Sequence, residues 1–182
     1  MKSTFSRIVI ASTLIFGLAL PIQAQVEGGS GKASGDNHNY ALTAPKGWAI
    51  DSEAMRADGV PLVFYPANSS WANSQAVIYT RPMDRGNKIR NTQDVVNNLV
   101  TNFHNNGHPN YRASFKNNLK IGDKLIVKIY WFSGDRYGNH EAVAYIEEAK
   151  TINFIVLNAR NIKAFQDGLP AFTEIVKSYR SQ

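Results

Sequence analysis

The amino-acid sequence predicts an α+β fold in which an antiparallel β-sheet is flanked by helices, as an α/β/α layered sandwich. Three apolar, β-branched segments follow one another within 124–159 through short links, which is typical of neighbouring antiparallel strands. Apolar residues at helical spacing mark two other segments, one after Asn91 and one near the C-terminus. Because strands and helices occupy separate parts of the chain, a layered α+β domain is expected.

Residues 1–24 have the layout of a secretory signal peptide. Lys2 and Arg7 give a positive start, Ile8–Leu20 is a nearly uninterrupted apolar segment, and a small residue precedes Gln25. The apolar segment has thirteen residues, whereas a membrane-spanning helix needs roughly 20. A retained membrane anchor is the alternative. The sequence favours cleavage before Gln25, a periplasmic or secreted protein, and no stable membrane anchor.

The segment 25–38 is predicted to be a flexible leader, followed by a single domain at 39–182. The leader is rich in Gly, Ser and Asn and contains almost no large apolar side chain. Such a segment cannot bury enough surface to offset the conformational entropy lost on folding. We therefore expect order to begin near Tyr40, in a domain long enough to form one core.

The first half of the domain is predicted to contain three strands and a helix. A short strand ends at Pro45, and apolar, β-branched residues at 60–65 and 75–81 indicate two more. Asn91 is a suitable N-cap for the helix, which Gly107 ends. The apolar face of this helix is formed by Val95, Val96, Leu99, Val100 and Phe103.

The C-terminal part is predicted to contain two helical segments. The first ends at Gly168, and Pro170 suits the first position of the second. Their buried stripe is formed by Phe165, Leu169, Phe172, Ile175, Val176 and Tyr179.

The order of these elements, together with three short motifs, resembles the PsbP/Mog-like superfamily, which includes PsbP- and DcrB-type envelope proteins. The motifs are APKGW at Ala44–Trp48, FYP at Phe64–Pro66 and FTEIVKSY at Phe172–Tyr179, within a resemblance that covers Asn39–Arg180. The resemblance implies an antiparallel sheet between helical layers. It also implies a role in docking or assembly rather than in catalysis. None of the motifs is a catalytic signature, and the fold by itself names no partner.

Composition and motifs argue against several functional classes. The chain has no cysteine, which excludes disulfides and thiolate metal sites. Its 20 Lys and Arg against 14 Asp and Glu are spread without a cluster that could follow phosphates, so no nucleic-acid partner is expected. Neither a nucleophile elbow nor a phosphate-binding glycine loop is present. We expect no catalytic residue and no cofactor.

His104 and His108 are the nearest approach to a metal motif. A four-residue separation places two histidines on one helical face, as zinc ligands require, but glycine and proline interrupt the helix here. Adjacent His140 and Glu141 would point to opposite faces of a strand. We expect no bound metal. The alternatives are a metal-assisted hydrolase that uses the His104/His108 region, or a small-ligand carrier.

Trp71, Arg136 and Tyr137 are the candidate partner-binding residues. Trp71 lies in a polar link, 67–74, where an exposed aromatic side chain could anchor a partner; alternatively it folds back over the core. Arg136 and Tyr137 lie in a predicted turn, 133–139, which could equally be a solvated connection. The sequence thus predicts an exported, non-catalytic binding or assembly module that docks to a protein partner in the cell envelope.

Overall fold

The computed structural model of the protein describes residues 26–123 and 125–182, and the predicted signal peptide, 1–24, lies outside them. In chain order the helices and strands are β1 (Val26–Glu27), β2 (Ser30–Gly35), β3 (His38–Thr43), β4 (Trp48–Asp51), β5 (Val63–Pro66), β6 (Ala76–Asp84), α1 (Thr92–Asn105), β7 (Arg112–Ile121), β8 (Leu125–Ser133), β9 (His140–Glu147), β10 (Thr151–Ala159), α2 (Ile162–Lys177) and β11 (Arg180–Ser181).

Two antiparallel sheets form the framework of the fold. Eight strands make the larger sheet, in the order β1-β4-β5-β6-β10-β9-β8-β7, and the smaller sheet has the order β11-β3-β2. The predicted antiparallel neighbours β8, β9 and β10 are adjacent in the larger sheet. Strand β6 pairs with β10 along its whole length, from Ala76 opposite Ala159 to Asp84 opposite Thr151. The predicted α+β class is confirmed.

Helix α2 and the smaller sheet cover one face of the larger sheet, here called the α2 face. Phe172, Ile175 and Val176 are at most 3% exposed and belong to the main hydrophobic core. Tyr179 follows the helix, and its ring stacks on that of Tyr40 in β3 with centroids 5.3 Å apart. The predicted apolar stripe therefore lies against the sheet, and burying it from water stabilises this layer.

Helix α1 covers part of the opposite face, here called the α1 face. As predicted, Asn91 caps this helix: its side-chain oxygen accepts the Asp94 N–H at 3.0 Å. The next residue, Thr92, donates its N–H and its hydroxyl to Glu147 Oε1 in β9, at 3.0 and 2.7 Å. Val95 and Val96 are buried in a second hydrophobic cluster with residues of β8, β9 and β10. A cap and a polar anchor thus fix where α1 begins.

The prediction of a flexible leader over 25–38 is wrong for its described part, because β1 pairs with β4 and β2 lies in the smaller sheet. Strand β2 pairs with β3 from Ser30 opposite Thr43 to Gly35 opposite His38. Its Ala33 side chain is 1% exposed and belongs to the main core. Main-chain hydrogen bonds to β3 therefore order a segment whose own side chains are too small to do so.

The prediction of two C-terminal helical segments is also wrong, because α2 continues through Gly168 and Pro170. Gly168 lies where the helix closely approaches the sheet: a Cβ atom there would be 2.9 Å from Leu157 Cδ1. Pro170 removes one N–H donor inside the helix. The buried stripe on both sides of these residues stabilises one continuous helix. No helix within the described ranges has the length and apolar character to cross a membrane.

Candidate functional site

Four connections meet at one end of the larger sheet, here called the loop end. They are the β5–β6 link at 67–75, the α1–β7 link at 106–111, the β8–β9 turn at 134–139 and the β10–α2 link at 160–161. Arg160 ties two of them together, because its N–H donates to the Gln75 carbonyl at 2.9 Å. All three candidate binding residues lie in connections at this end of the sheet, Trp71 between β5 and β6 and the other two between β8 and β9.

Arg136 and Tyr137 form the exposed tip of the β8–β9 turn. Asp135 shapes this turn by accepting the N–H groups of Tyr137 and Asn139, at 3.1 and 2.9 Å. The Arg136 guanidinium lies 4.8 Å from the centre of the Tyr137 ring and donates to its hydroxyl at 2.6 Å. Tyr137 is 66% exposed. The tip therefore presents a cation and an aromatic ring held in one arrangement.

A groove of about 260 Å³ lies on the α2 face at the loop end, and its lining includes Ser133 and His140, the residues on either side of the β8–β9 turn. Trp131 forms part of its lining and packs edge-on against Phe165 of α2, with ring centroids 5.0 Å apart. The Lys116 ammonium lies over the Trp131 ring at 4.3 Å, a cation–π contact. The complete lining is Arg112, Ser114, Lys116, Trp131, Phe132, Ser133, His140, Ile162 and Phe165.

The groove is basic as well as aromatic. Arg112, Lys116 and His140 contribute to the lining, which contains no Asp or Glu. Strand β7 is the edge of the larger sheet, and its register with β8 shifts between Phe115 and Asn117, so Lys116 occupies a β-bulge. Arg112, Ser114 and Lys116 are alternate residues of β7 and all line the groove, as ordinary strand alternation requires. The Lys116 ammonium therefore reaches the Trp131 ring from the same face.

Trp71 packs on the protein rather than joining the groove. Its side chain is partly buried in the hydrophobic cluster that contains Val63 and Tyr65, and it meets the Tyr79 ring edge-on with centroids 6.1 Å apart. This arrangement is the alternative considered from the sequence, in which the tryptophan folds back over the core. A binding role for its remaining exposed surface stays a prediction.

His104 and His108 face different main-chain groups. His104 Nε2 lies 2.7 Å from the Tyr111 carbonyl oxygen, and since a carbonyl only accepts, this nitrogen carries the hydrogen. His108 Nδ1 accepts the Arg136 N–H at 3.1 Å, so this histidine supports the exposed tip. Across 26–123 and 125–182, no three His, Asp or Glu side chains are grouped so that they could hold a metal ion.

His140 and Glu141 point to opposite faces of β9, as the strand geometry requires. His140 lines the groove on the α2 face. On the α1 face, Glu141 accepts hydrogen bonds from the Tyr111 hydroxyl at 3.0 Å and from Asn158 Nδ2 at 2.6 Å. Burial raises the pKa of Glu141, and the bonds from Asn158 and Tyr111 oppose that rise. Both carboxylate oxygens are used to hold neighbouring side chains in place.

The fold is similar to that of a solved PsbP structure, in line with the resemblance that the sequence motifs indicate. Cyanobacterial PsbP (CyanoP) from Synechocystis sp. PCC 6803 matches with a TM-score of 0.55 at 12% identity, over 91% of this chain and 98% of that chain. The Ran-binding protein Mog1p from Saccharomyces cerevisiae matches with a TM-score of 0.49 at 11% identity, over 78% and 89% of the respective chains. No family model and no curated protein matches the sequence. At 12% identity the similarity to CyanoP establishes the fold alone.

Proposed function

We propose that this chain is an exported, non-catalytic binding module that docks to a protein partner in the cell envelope. The observation that carries the proposal is the groove at the loop end, which combines Arg112, Lys116 and His140 with an accessible tryptophan and contains no acidic lining residue. The matching partner element is an acidic segment that carries a large apolar side chain. Arg136 and Tyr137, at the tip of the turn between Ser133 and His140, are proposed as further contacts for the partner.

Two physical arguments support docking at this surface. Aromatic and arginine side chains dominate the binding energy of protein interfaces, and the groove and tip supply both. Unlike charges across an interface accelerate encounter and fix orientation, and the groove offers one sign of charge only. Ile162 at the start of α2 is 51% exposed beside these cations, so an apolar contact is available next to the charged ones.

The two alternatives receive less support from the geometry. A small-ligand carrier encloses its ligand, typically in a pocket of about 300–1,000 Å³. The groove is smaller, at about 260 Å³, and open to solvent. A metal-assisted hydrolase would need His104 and His108 to converge on one ion, and instead they engage Tyr111 and Arg136.

A pair of charge reversals on one strand tests the docking surface. Lys116→Glu places an acid in the groove, whereas Lys120→Glu makes the same change on β7 at a position opposite Ile126, on the α1 face. Tagged mature protein is used to recover partners from the envelope of the source cells, and recovered proteins are identified by mass spectrometry. We expect one partner that the wild type and Lys120→Glu retain and that Lys116→Glu loses. Equal recovery by all three proteins would refute the assignment of the groove.

The export part of the proposal has its own test. The mature protein is expected to begin at or near Gln25 and to be released without membrane extraction. N-terminal sequencing of the exported form checks this expectation. Retention of Met1 to Leu20 together with membrane association would contradict it, and would leave the docking test unaffected.

A further inference from the structure

A free strand edge borders the docking groove. Strand β7 is the last strand of the larger sheet, and within the described ranges β8 is its one neighbour. On the side away from β8, the main-chain N–H and C=O groups of alternate β7 residues therefore have no strand to pair with. The other edge strand, β1, has only two residues. Strand β7 is thus the edge of this sheet that offers room for a further strand.

The segment Arg112–Phe115 is the regular part of this edge. Its register with β8 runs without a shift from Arg112 opposite Ser133 to Phe115 opposite Tyr130. The bulge at Lys116 follows directly, and a bulge bends a strand and interrupts regular pairing. Main-chain pairing with an added strand is therefore expected beside 112–115, with Lys116 at its limit.

The two faces of this segment differ in character. On the α2 face, Arg112, Ser114 and Lys116 line the groove. On the α1 face, Phe115 is 52% exposed, and its ring meets that of Tyr130 edge-on with centroids 5.4 Å apart. The side chains of an added strand alternate between the same two faces and lie beside these residues. A matching strand therefore directs acidic side chains toward the groove and apolar side chains toward Phe115.

The charges on β7 disfavour pairing with a second copy of this chain. Residues 112–121 include Arg112, Lys116 and Lys120 and no Asp or Glu. If two copies paired through this strand, cations of both copies would lie close together, and like charges on paired strands are destabilising. Lysines on an edge strand protect against such self-association. An acidic strand meets no such repulsion, so the same cations select the charge of the partner.

We propose that the partner docks by adding one strand to the β7 edge, and that this strand alternates acidic and apolar residues. Its main chain pairs with 112–115, its acidic side chains lie in the groove beside Arg112 and Lys116, and its apolar side chains cover Phe115. In such complexes the main-chain hydrogen bonds supply affinity and the alternating side chains supply specificity. The inference rests on the proposed function, because it assigns the mode of binding at the same groove.

An acetylated and amidated hexapeptide of alternating Glu and Val tests the proposal by NMR of the full mature chain. We expect saturable binding with a Kd of about 0.1–1 mM. At about ten times the Kd, hydrogen exchange of alternate main-chain amides within 112–115 should slow about tenfold. A control hexapeptide in which three Glu precede three Val has the same composition without the alternation, and it should bind at least about fivefold more weakly. Equal binding by the two peptides, or no saturable binding up to about 5 mM, would overturn the proposal.

Variants of β7 test the two faces separately. Lys116→Glu should weaken binding of the alternating peptide at least about tenfold. Lys120→Glu, beyond the bulge and on the α1 face, should change it less than about twofold. Phe115→Ala should weaken it about three- to fivefold through lost apolar contact. Unchanged affinity in both Lys116→Glu and Phe115→Ala would contradict strand addition at this edge.

The exchange measurement separates strand addition from docking in general. Peptide binding that Lys116→Glu weakens, but that leaves exchange of the β7 amides unchanged, would refute strand addition while supporting the groove as the docking surface. Recovery of an envelope partner that Lys116→Glu leaves unchanged would refute docking at the groove itself. Slowed exchange that depends on protein concentration in the absence of peptide would instead show that a second copy occupies the edge, and would overturn the proposal.

Discussion

The first turn of α2 and the rest of the helix differ in how far their apolar side chains are buried. In the body, Phe172, Ile175 and Val176 are at most 3% exposed against the sheet. In the first turn, Ile162 is 51% exposed next to the basic groove. One helix therefore serves core packing along most of its length and presents an accessible apolar side chain at its start.

This difference separates residues that stabilise the fold from residues that are available to a partner. Burial of large apolar side chains dominates stability. Exposed cations and aromatic groups contribute little to stability, but they are the groups that interfaces use. Substitutions in the body of α2 should change the free energy of unfolding, whereas substitutions around the groove should change binding alone.

The largest expected effect is that of Phe172→Ala. Removing a fully buried phenylalanine ring costs about 3–5 kcal/mol through lost burial and a cavity. Lys177→Ala, in the last turn of the same helix, should cost about 0.5 kcal/mol or less because its side chain is exposed. Urea unfolding monitored by circular dichroism measures both. Small, equal shifts of the midpoint would mean that α2 does not dock on the sheet.

A polar anchor on the opposite face should give an intermediate, pH-dependent effect. Burial opposes ionisation of Glu147, but hydrogen bonds from Lys128 and Thr92 outweigh it and lower the pKa of Glu147 to about 2. A lowered folded-state pKa stabilises the fold at pH values above the unfolded pKa near 4.5, and this stability is lost as the pH falls toward 2. After allowance for solvent screening, Glu147→Gln should cost about 1–2 kcal/mol at pH 7.

The control for this pH dependence is Glu53→Gln, whose exposed partner is Arg56. Urea unfolding is repeated between pH 7 and pH 2 for the wild type and both variants. The difference in free energy of unfolding between the wild type and Glu147→Gln should disappear as the pH falls. Glu53→Gln should show the same pH dependence as the wild type. A difference in free energy of unfolding that stays constant with pH would show that the ionised carboxylate of Glu147 does not anchor α1.

The smallest effect on stability is expected at the hairpin tip. Tyr137→Ala removes a ring that is 66% exposed, so the free energy of unfolding should change by about 0.5 kcal/mol or less. Partner affinity should nevertheless fall, by about tenfold if the ring is a contact of average strength. Tyr137→Phe keeps the ring and serves as the control. Unchanged affinity in Tyr137→Ala would restrict the docking surface to the groove.

Elements with a strong local signal could be predicted from the sequence. Helix α1 has both a cap at Asn91 and apolar residues at helical spacing, and β8 to β10 carry long apolar, β-branched segments. Strand β7 has no such signal because seven of its ten residues are exposed. Strand β2 gains its order from pairing with β3, a tertiary contact that the composition of its own segment does not encode.

The candidate site was predictable only in part. Arg136 and Tyr137 lie in a recognisable turn, and the sequence assigns them to the surface from turn residues alone. The groove escaped prediction because Arg112, Trp131 and Ile162 lie on three different elements, which only the sheet order and the position of α2 bring together. Lys116 alternates with Arg112 and Ser114 along β7, but that strand has too few apolar residues to be predicted from the sequence, so the shared face could not be predicted either.

Site-specific photocrosslinking tests the central claim most directly. A photoreactive residue replaces Ile162 in the groove or, as a matched control, Ile126 on the α1 face; the two side chains are 51% and 59% exposed. Crosslinking is carried out in the envelope of the source cells. If docking occurs through the groove, the photoreactive residue at position 162 should give one crosslinked partner, and the one at position 126 should give none. Adding Lys116→Glu to the position 162 variant should abolish the crosslink. A partner crosslinked only from position 126, or one from position 162 that Lys116→Glu leaves unchanged, would contradict the claim.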